Sequence, residues 1–336
     1  MPICNGIPCG YRSKLDIRET ECAIKLTKDT LERKLAEQLD LIRVSAPLFV
    51  LPHSGLNDDL NGTERPVAFD VPGIGETVEV VHSLAKWKRM ALQRYGFPMG
   101  IGLYTDMNAI RRDEEPDALH SIYVDQWDWE KTIPDSARNE QTLKTAVRAI
   151  VTALVQTQHL VCAMYPKLDP FLSDQVTFLT TQELLDRYPD LTPKQREDAV
   201  TREYGTVFLM QIGKPLSNGF PHDGRAPDYD DWELNGDLLV WYPVLERAVE
   251  LSSMGIRVDA ETLVSQLTQA GRRERLALDF HKKLLHGELP QTMGGGIGQS
   301  RICMLLLEKA HIGEVQASLW PKKMMDDCEQ AGIHLL

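Results

Sequence analysis

The chain has 336 residues, 43% of them hydrophobic and 26% charged, with a formal net charge of −12. This suits a soluble globular protein, one large elaborated domain or a core with an appendage; no stretch approaches the ~20 consecutive apolar residues of a membrane span. The acidic balance, without any Lys/Arg-rich run, argues against an extended nucleic-acid footprint.

The start, Met1-Pro2-Ile3-Cys4-Asn5-Gly6, has no basic patch ahead of an apolar stretch, so the expected compartment is the cytoplasm. Six cysteines (Cys4, Cys9, Cys22, Cys162, Cys303, Cys328) lack CxxC or Cys/His ligand spacing and read as free thiols. Over 16–39 the apolar positions Ile24, Leu31, Leu35 and Leu39 predict a long amphipathic helix. Residues 41–51 read as extended, and Pro47 makes an edge or interface strand the best fit. Strand, turn and strand follow over 63–81 around Pro72-Gly73-Ile74-Gly75, then a helix over 83–95. Leu143, Ala146, Val147, Ile150, Val151, Leu154 and Val155 mark a packing helix.

Thr192-Pro193-Lys194-Gln195 is a capping box that opens a helix towards Tyr204, ahead of a buried strand over 206–212. Further strands are predicted at 238–241 and 249–258, and helices at 259–269 and 272–286 with Gly287 as the terminal cap. No repeat or low-complexity linker interrupts the chain. The predicted class is α+β, a largely antiparallel mixed sheet flanked by helices, with 1–15 as an N-terminal extension and 16–336 as a single domain.

Four clusters carry candidate chemistry. In 119–130, a strand would place Val124, Gln126, Asp128 and Glu130 on one face and Asp125, Trp127 and Trp129 on the other; the same alternation would serve a solvated strand face. Arg225-Ala226-Pro227-Asp228-Tyr229-Asp230-Asp231-Trp232 is too turn-prone for a helix and reads as an acidic loop able to hold an amine-bearing ligand. Asp237 and Glu250, on successive predicted strands, could hold Mg²⁺ against nucleotide phosphates, since this ion commonly takes one or two carboxylates plus substrate oxygens. Gly294-Gly295-Gly296-Ile297-Gly298-Gln299-Ser300-Arg301 is a glycine-rich strand on which a planar ring could lie close, with Arg301 facing it. It has neither the ending of a phosphate-binding P-loop nor a dinucleotide fingerprint.

In this order the clusters resemble class II aminoacyl-tRNA synthetases. Residues 41–51 with Pro47 look like motif 1, Arg111 with Gln126-Trp127-Asp128-Trp129-Glu130 like motif 2, and 294–301 like motif 3. Residues 250–257 are similar to the Glu-x-x-Gly-Gly-x-x-Arg segment of aspartyl- and asparaginyl-tRNA synthetases, with Ser253-Met254 in place of the glycine pair. A closer resemblance is to the aspartate–ammonia ligases, the short asparagine synthetases: His82-Ser83-Leu84-Ala85-Lys86-Trp87-Lys88-Arg89, 123–130, 225–232 and 250–258 match their signature stretches, and the likeness runs from about Asp16 to Trp320. It departs at 1–10 and at Asp58-Asp59, where the family pattern is Asp-Asn.

The resemblance implies an ATP-dependent synthesis of asparagine from aspartate and ammonia through a β-aspartyl adenylate, by a homodimer, with Mg²⁺ on Asp237 and Glu250. It implies Arg111 on the α-phosphate and reacting carboxylate and Arg301 over the adenine, with His120, Ser121, Ser252 and Gly296 also at the nucleotide. For the aspartate it implies Ser83, Gly294, Lys88 and Arg225, the last two on the unreacted carboxylate, with Gln126, Asp230 or Asp58 on the ammonium. Asp58 and Asp128 could instead collect and deprotonate ammonia's conjugate acid; the sequence leaves these acids open. The rival readings are a tRNA-charging core, for which no anticodon-binding segment is seen, and a catalytically silent synthetase-like protein. Glutamine as nitrogen donor would need Cys4 or Cys9, because Pro2 stands where glutamine-using enzymes carry their nucleophilic Cys.

Overall fold

The computed structural model describes residues 3–4, 7–8, 10–60 and 64–336. Two short antiparallel strands, β1 (Ile3–Cys4) and β2 (Ile7–Pro8), come first. The thiols of Cys4 and Cys9 fall outside the described side chains, while Cys22, Cys162, Cys303 and Cys328 are free. Helix α1 (Ile17–Leu39) starts at a reciprocal cap in which Asp16 accepts from the Glu19 amide and Glu19 from that of Asp16. It buries Ala23, Leu31, Leu35 and Leu39 and ends at Asp40 in the left-handed region, φ 55°.

The turn at Asp40 delivers β3 (Leu41–Arg43), which pairs in parallel with a later strand and forms one edge of the main sheet, as Pro47 nearby had suggested. β4 (Phe49–Val50), β5 (Ala68–Val71) and β6 (Glu76–Val80) form a separate sheet in the order β4-β6-β5. α2 (Ala85–Arg94), β7 (Gly102–Ile110), β8 (Tyr123–Thr132) and α3 (Glu140–Met164) follow. By length and hydropathy alone α3 could cross a membrane. Here it packs on α1 and buries Val147, Ile150 and Leu154, each worth roughly 1.5–3 kcal/mol in the core.

β9 (Thr177–Thr180), α4 (Thr181–Arg187), α5 (Pro193–Tyr204) and β10 (Thr206–Met210) lead to two long strands, β11 (Asp230–Tyr242) and β12 (Arg247–Arg257). Then come α6 (Ala260–Gln269), a 3₁₀ turn at Arg273–Ala277, α7 (Asp279–Leu285), β13 (Thr292–Gly298), α8 (Gln299–Leu306) and α9 (Lys322–Ala331).

The helix expected over 272–286 is therefore broken: Leu278 is extended (φ −78°, ψ 155°) and seated where a Cβ on Gly55 would come within 2.8 Å of it. The acidic segment expected as a loop already enters β11 at Asp230, because Arg257 and Arg138 pair with Asp230 and Asp231 and offset the turn preference of aspartate.

The main sheet runs β3-β7-β8-β13-β12-β11-β10-β9, antiparallel except for the parallel pairs at its two edges. It is the mixed, largely antiparallel sheet that the resemblance implied. α1, α3 and α8 cover one face, over Trp127, Trp129, Phe208 and Tyr242. On the other face α5 caps β10 to β12 through Val200, Val207, Leu209 and Leu239, and α2 crosses β7, β8 and β13. Between those two helices the middle strands turn polar side chains to an open cavity.

Candidate active site

The cavity has a volume of about 270 Å³, and its floor is β8, β13 and β12. Strand alternation sends Gln126 and Asp128 into it while Asp125, Trp127 and Trp129 face the core, where Asp125 meets Lys28 (2.8 Å) and the Ser300 amide (3.0 Å). The central strand must be glycine here. A Cβ on Gly296 would lie 2.5 Å from Gln126 Oε1 and 2.6 Å from Asp128 Oδ1, and one on Gly294 would strike the Glu130 carboxylate. Small floor residues thus leave room for the functional groups of the neighbouring strand.

At the inner end of the same face Glu130 is wholly buried. Arg257 grips it with Nε at 2.9 Å from Oε1 and Nη2 at 2.7 Å from Oε2, Thr292 Oγ1 donates at 2.7 Å, and Arg257 also pairs with Asp230. Burial pushes the Glu130 carboxyl up, but Arg257 and then Lys88 outweigh it and hold the group below its ordinary value. Lys88, on α2, is as deeply buried; its Nζ donates to the Gly295 carbonyl (3.1 Å) and stands 3.4 Å from Asp128 Oδ2. Desolvation lowers its pKa against the pull of Asp128 and Glu130. These charges are fixed before any ligand arrives, which is what a site that works by positioning requires.

On the opposite wall Arg225 donates to Asp237 Oδ1 (2.6 Å) and also binds the Ser253 hydroxyl. Glu250 lies on the adjacent strand and lines the same wall. Burial pushes the Asp237 carboxyl up to about 7, Arg225 pulling it down and the Glu250 charge adding to the rise. Two carboxylates sharing a wall at this cost fit a divalent cation.

A register shift between β11 and β12, at Leu238/Leu239, lets Glu250 and Ser253 both reach the cavity although they are three residues apart. Arg111, just past the end of β7, lines the cavity, and its buried Nε makes no hydrogen bond among the described residues.

Ten of the residues singled out in the sequence line this cavity: Ser83, Lys88, Arg111, Gln126, Asp128, Arg225, Asp230, Asp237, Glu250 and Gly296. Arg301 does not; its Nη1 donates to the Glu250 carbonyl (2.8 Å) at the side of the site. Ser252 pairs with Leu238 and Ile297 of the core face, and it is Ser253 that looks into the cavity. His120 bonds Asp117 (2.9 Å) on an outer loop and Ser121 bonds Ser318 (2.9 Å). Gly294 lies at the Glu130–Arg257 contact, and Asp58 sits behind the wall formed by His82 and Tyr229. Sequence reasoning passed over His82, Ser253, Tyr229 and Arg257, all of which line the cavity. For Arg257 there was a signal, since it closes the 250–257 segment that resembles Glu-x-x-Gly-Gly-x-x-Arg.

Fold and site together define a core of the class II aminoacyl-tRNA synthetase kind. Asparaginyl-tRNA synthetase from Pyrococcus horikoshii, solved with asparaginyl-adenylate, superposes with a TM-score of 0.66 at 16% identity, covering 91% of this chain and 71% of that one. The Entamoeba histolytica enzyme, also with asparaginyl-adenylate, gives 0.66 at 13%, covering 89% and 66%. The chain belongs to the aspartate-ammonia ligase family, whose model matches residues 18–332. Aspartate–ammonia ligases from Ruminiclostridium cellulolyticum and Lactobacillus johnsonii are 62% and 59% identical to it, each match covering 98% of this chain and 98% and 99% of those proteins.

Proposed function

We propose that this protein joins L-aspartate to ammonia at the expense of ATP, releasing L-asparagine, AMP and pyrophosphate through a β-aspartyl adenylate. The observation that carries the reading is a single cavity, in a chain of this family, that unites a free-standing Arg111, the Gln126/Asp128 face and the Arg225/Asp237/Glu250 wall. A carboxylate is a poor acyl donor; linking it to AMP supplies a leaving group, and the site then needs chiefly to orient reactants and bind developing phosphate charge. Arg111 binds the α-phosphate and the reacting carboxylate in a forked contact, and Arg301 covers the adenine. Asp237 and Glu250 would hold Mg²⁺, which supplies charge neutralisation at the phosphates. Lys88 and Arg225 take the unreacted carboxylate, and Gln126 with Asp230 the ammonium group.

We further propose residues 16–336 as one catalytic domain acting as a homodimer in the cytoplasm. Ile42 on the edge strand β3 (55% exposed), with Leu48 (51%) and Phe49 (41%) just after Pro47, are large apolar groups suited to a subunit contact. The four free described cysteines agree with a reducing compartment. Incubating the protein with ATP, Mg²⁺ and aspartate, with ammonium or with glutamine, tests the reading: asparagine and AMP form with ammonium. ADP, or no nucleotide turnover, contradicts it.

Asp58 and Asp128 act in the second half-reaction, taking the proton that frees the ammonia lone pair. Burial pushes the Asp58 carboxyl up to about 6, with Lys86 opposing and Asp228 adding to the rise. An acid needed as its base works above that value, so asparagine formation falls more steeply than aspartate-dependent ATP–pyrophosphate exchange as the pH drops through about 6. Asp58→Asn or Asp128→Asn lowers asparagine formation by about 10² and leaves exchange within about tenfold. Equal loss of both activities, with a raised aspartate KM, places that residue on the substrate's ammonium instead.

A further inference from the structure

Behind the Asp58 wall lies a second cavity of about 200 Å³, lined by Asn57, Asp58, Asp59, Glu79, Lys86 and Arg275 among others. Its charges do not balance. Lys86 Nζ donates to Asp228 Oδ2 (3.0 Å), and Arg275 reaches the same oxygen (3.2 Å) and pairs with Asp59. The two bases are paired with Asp228 and Asp59, and Lys86 acts on Asp58 only through its charge, so Glu79 and part of the Asp58 charge stay unanswered among the described residues. Asp58 is only 4% exposed, and its Oδ2 is buried without a hydrogen bond, as is Asp59 Oδ1. Glu79 spends Oε2 on the Asn57 amide (3.0 Å). A buried polar atom without a partner is costly, and several acceptors of one sign around a small cavity call for a compact cation.

Only one residue separates this space from the active site. Asp58 Oδ1 accepts from the Leu60 amide (2.9 Å), the Asp58 carbonyl meets His82 Nδ1 (2.8 Å), and the Tyr229 phenol lies against the Asp58 carboxylate. Leu60, His82 and Tyr229 all line the catalytic cavity.

We propose that the second cavity is a receiving site for ammonium ion, which Asp58, Asp59 and Glu79 hold beside the active-site wall before nitrogen transfer. The inference rests on the ligase reading above and adds to it a place of binding distinct from the aspartate and nucleotide sites. Ammonium offers four N–H donors to the acceptors left free there, and the surplus negative charge raises its local concentration without acting on neutral solutes.

Glu79→Gln and Asp59→Asn test it, each removing a charge and keeping the shape. At low ionic strength each raises the KM for ammonium about fivefold or more, and the pair raises it further. Aspartate KM, ATP–pyrophosphate exchange and the rate with hydroxylamine, a nucleophile largely uncharged at the assay pH, stay within about twofold. An unchanged ammonium KM with intact exchange overturns the cation site alone. Equal losses with ammonium and hydroxylamine overturn it too, since they mean distortion of the wall. Wild-type protein that catalyses no exchange overturns the ligase reading itself.

Discussion

Arg111→Ala or Arg301→Ala is expected to cut aspartate-dependent ATP–pyrophosphate exchange by ~10²–10³, the roughly 3–4 kcal/mol of one preorganised charged contact to a developing anion. Arg111 lines the cavity with its Nε buried and unbonded among the described residues, so its removal is expected to cost function before fold. Arg301 is tied through one nitrogen to the Glu250 carbonyl, and its planar fork keeps further donors for a phosphate or a ring. Exchange assays on each folded variant decide the matter; a wild-type rate removes that arginine from the site.

Arg257→Met should destabilise the protein by about 3–5 kcal/mol, the loss expected when one partner of a buried ion pair is removed and the other keeps its charge. Glu130 is 0% exposed, Asp230 1%, and both rely on Arg257; the other cations stand farther off, Lys88 at 4.0 Å from Glu130 Oε2 and Arg225 at 3.9 Å from Asp230 Oδ2. Adding Glu130→Gln removes one stranded charge, so the double variant is less destabilised than the sum of the singles. Denaturant unfolding measures both. A shift for Arg257→Met below about 0.5 kcal/mol, the range of ordinary surface changes, contradicts the account of a buried charged network at the inner end of the cavity.

The elements easiest to read in the sequence were those whose local signal agrees with their tertiary role. Thr192 caps the helix it was expected to cap, and the Leu143–Val155 periodicity lies within α3. β7 escaped notice: Thr105 and Met107 are buried but alternate with partly buried and exposed residues, although Gly96, Pro98 and Gly100 ahead of it mark a turn. The start of β11 was hidden because Asp230 and Asp231 are turn formers until Arg257 and Arg138, distant in sequence, pair with them. In the site, residue types and motif order pointed to Gln126, Asp128, Asp237 and Glu250, whose strand parity carries them into one cavity. Parity also explains what was not visible. Whether Ser252 or Ser253 faces that cavity depends on a register shift in the sheet, which no local pattern encodes. The second cavity is likewise a product of topology, bringing Asn57, Asp58 and Asp59 against Arg275 from the far end of the chain.

The central claim is that the cavity activates the side-chain carboxylate of aspartate by joining it to AMP. Aspartate carrying oxygen-18 in that carboxylate, turned over with ATP, Mg²⁺ and ammonium, tests it directly when the products are weighed by mass spectrometry. Transfer of one labelled oxygen to the phosphoryl group of each AMP is the result predicted here; label in inorganic phosphate, formed alongside ADP, would contradict it.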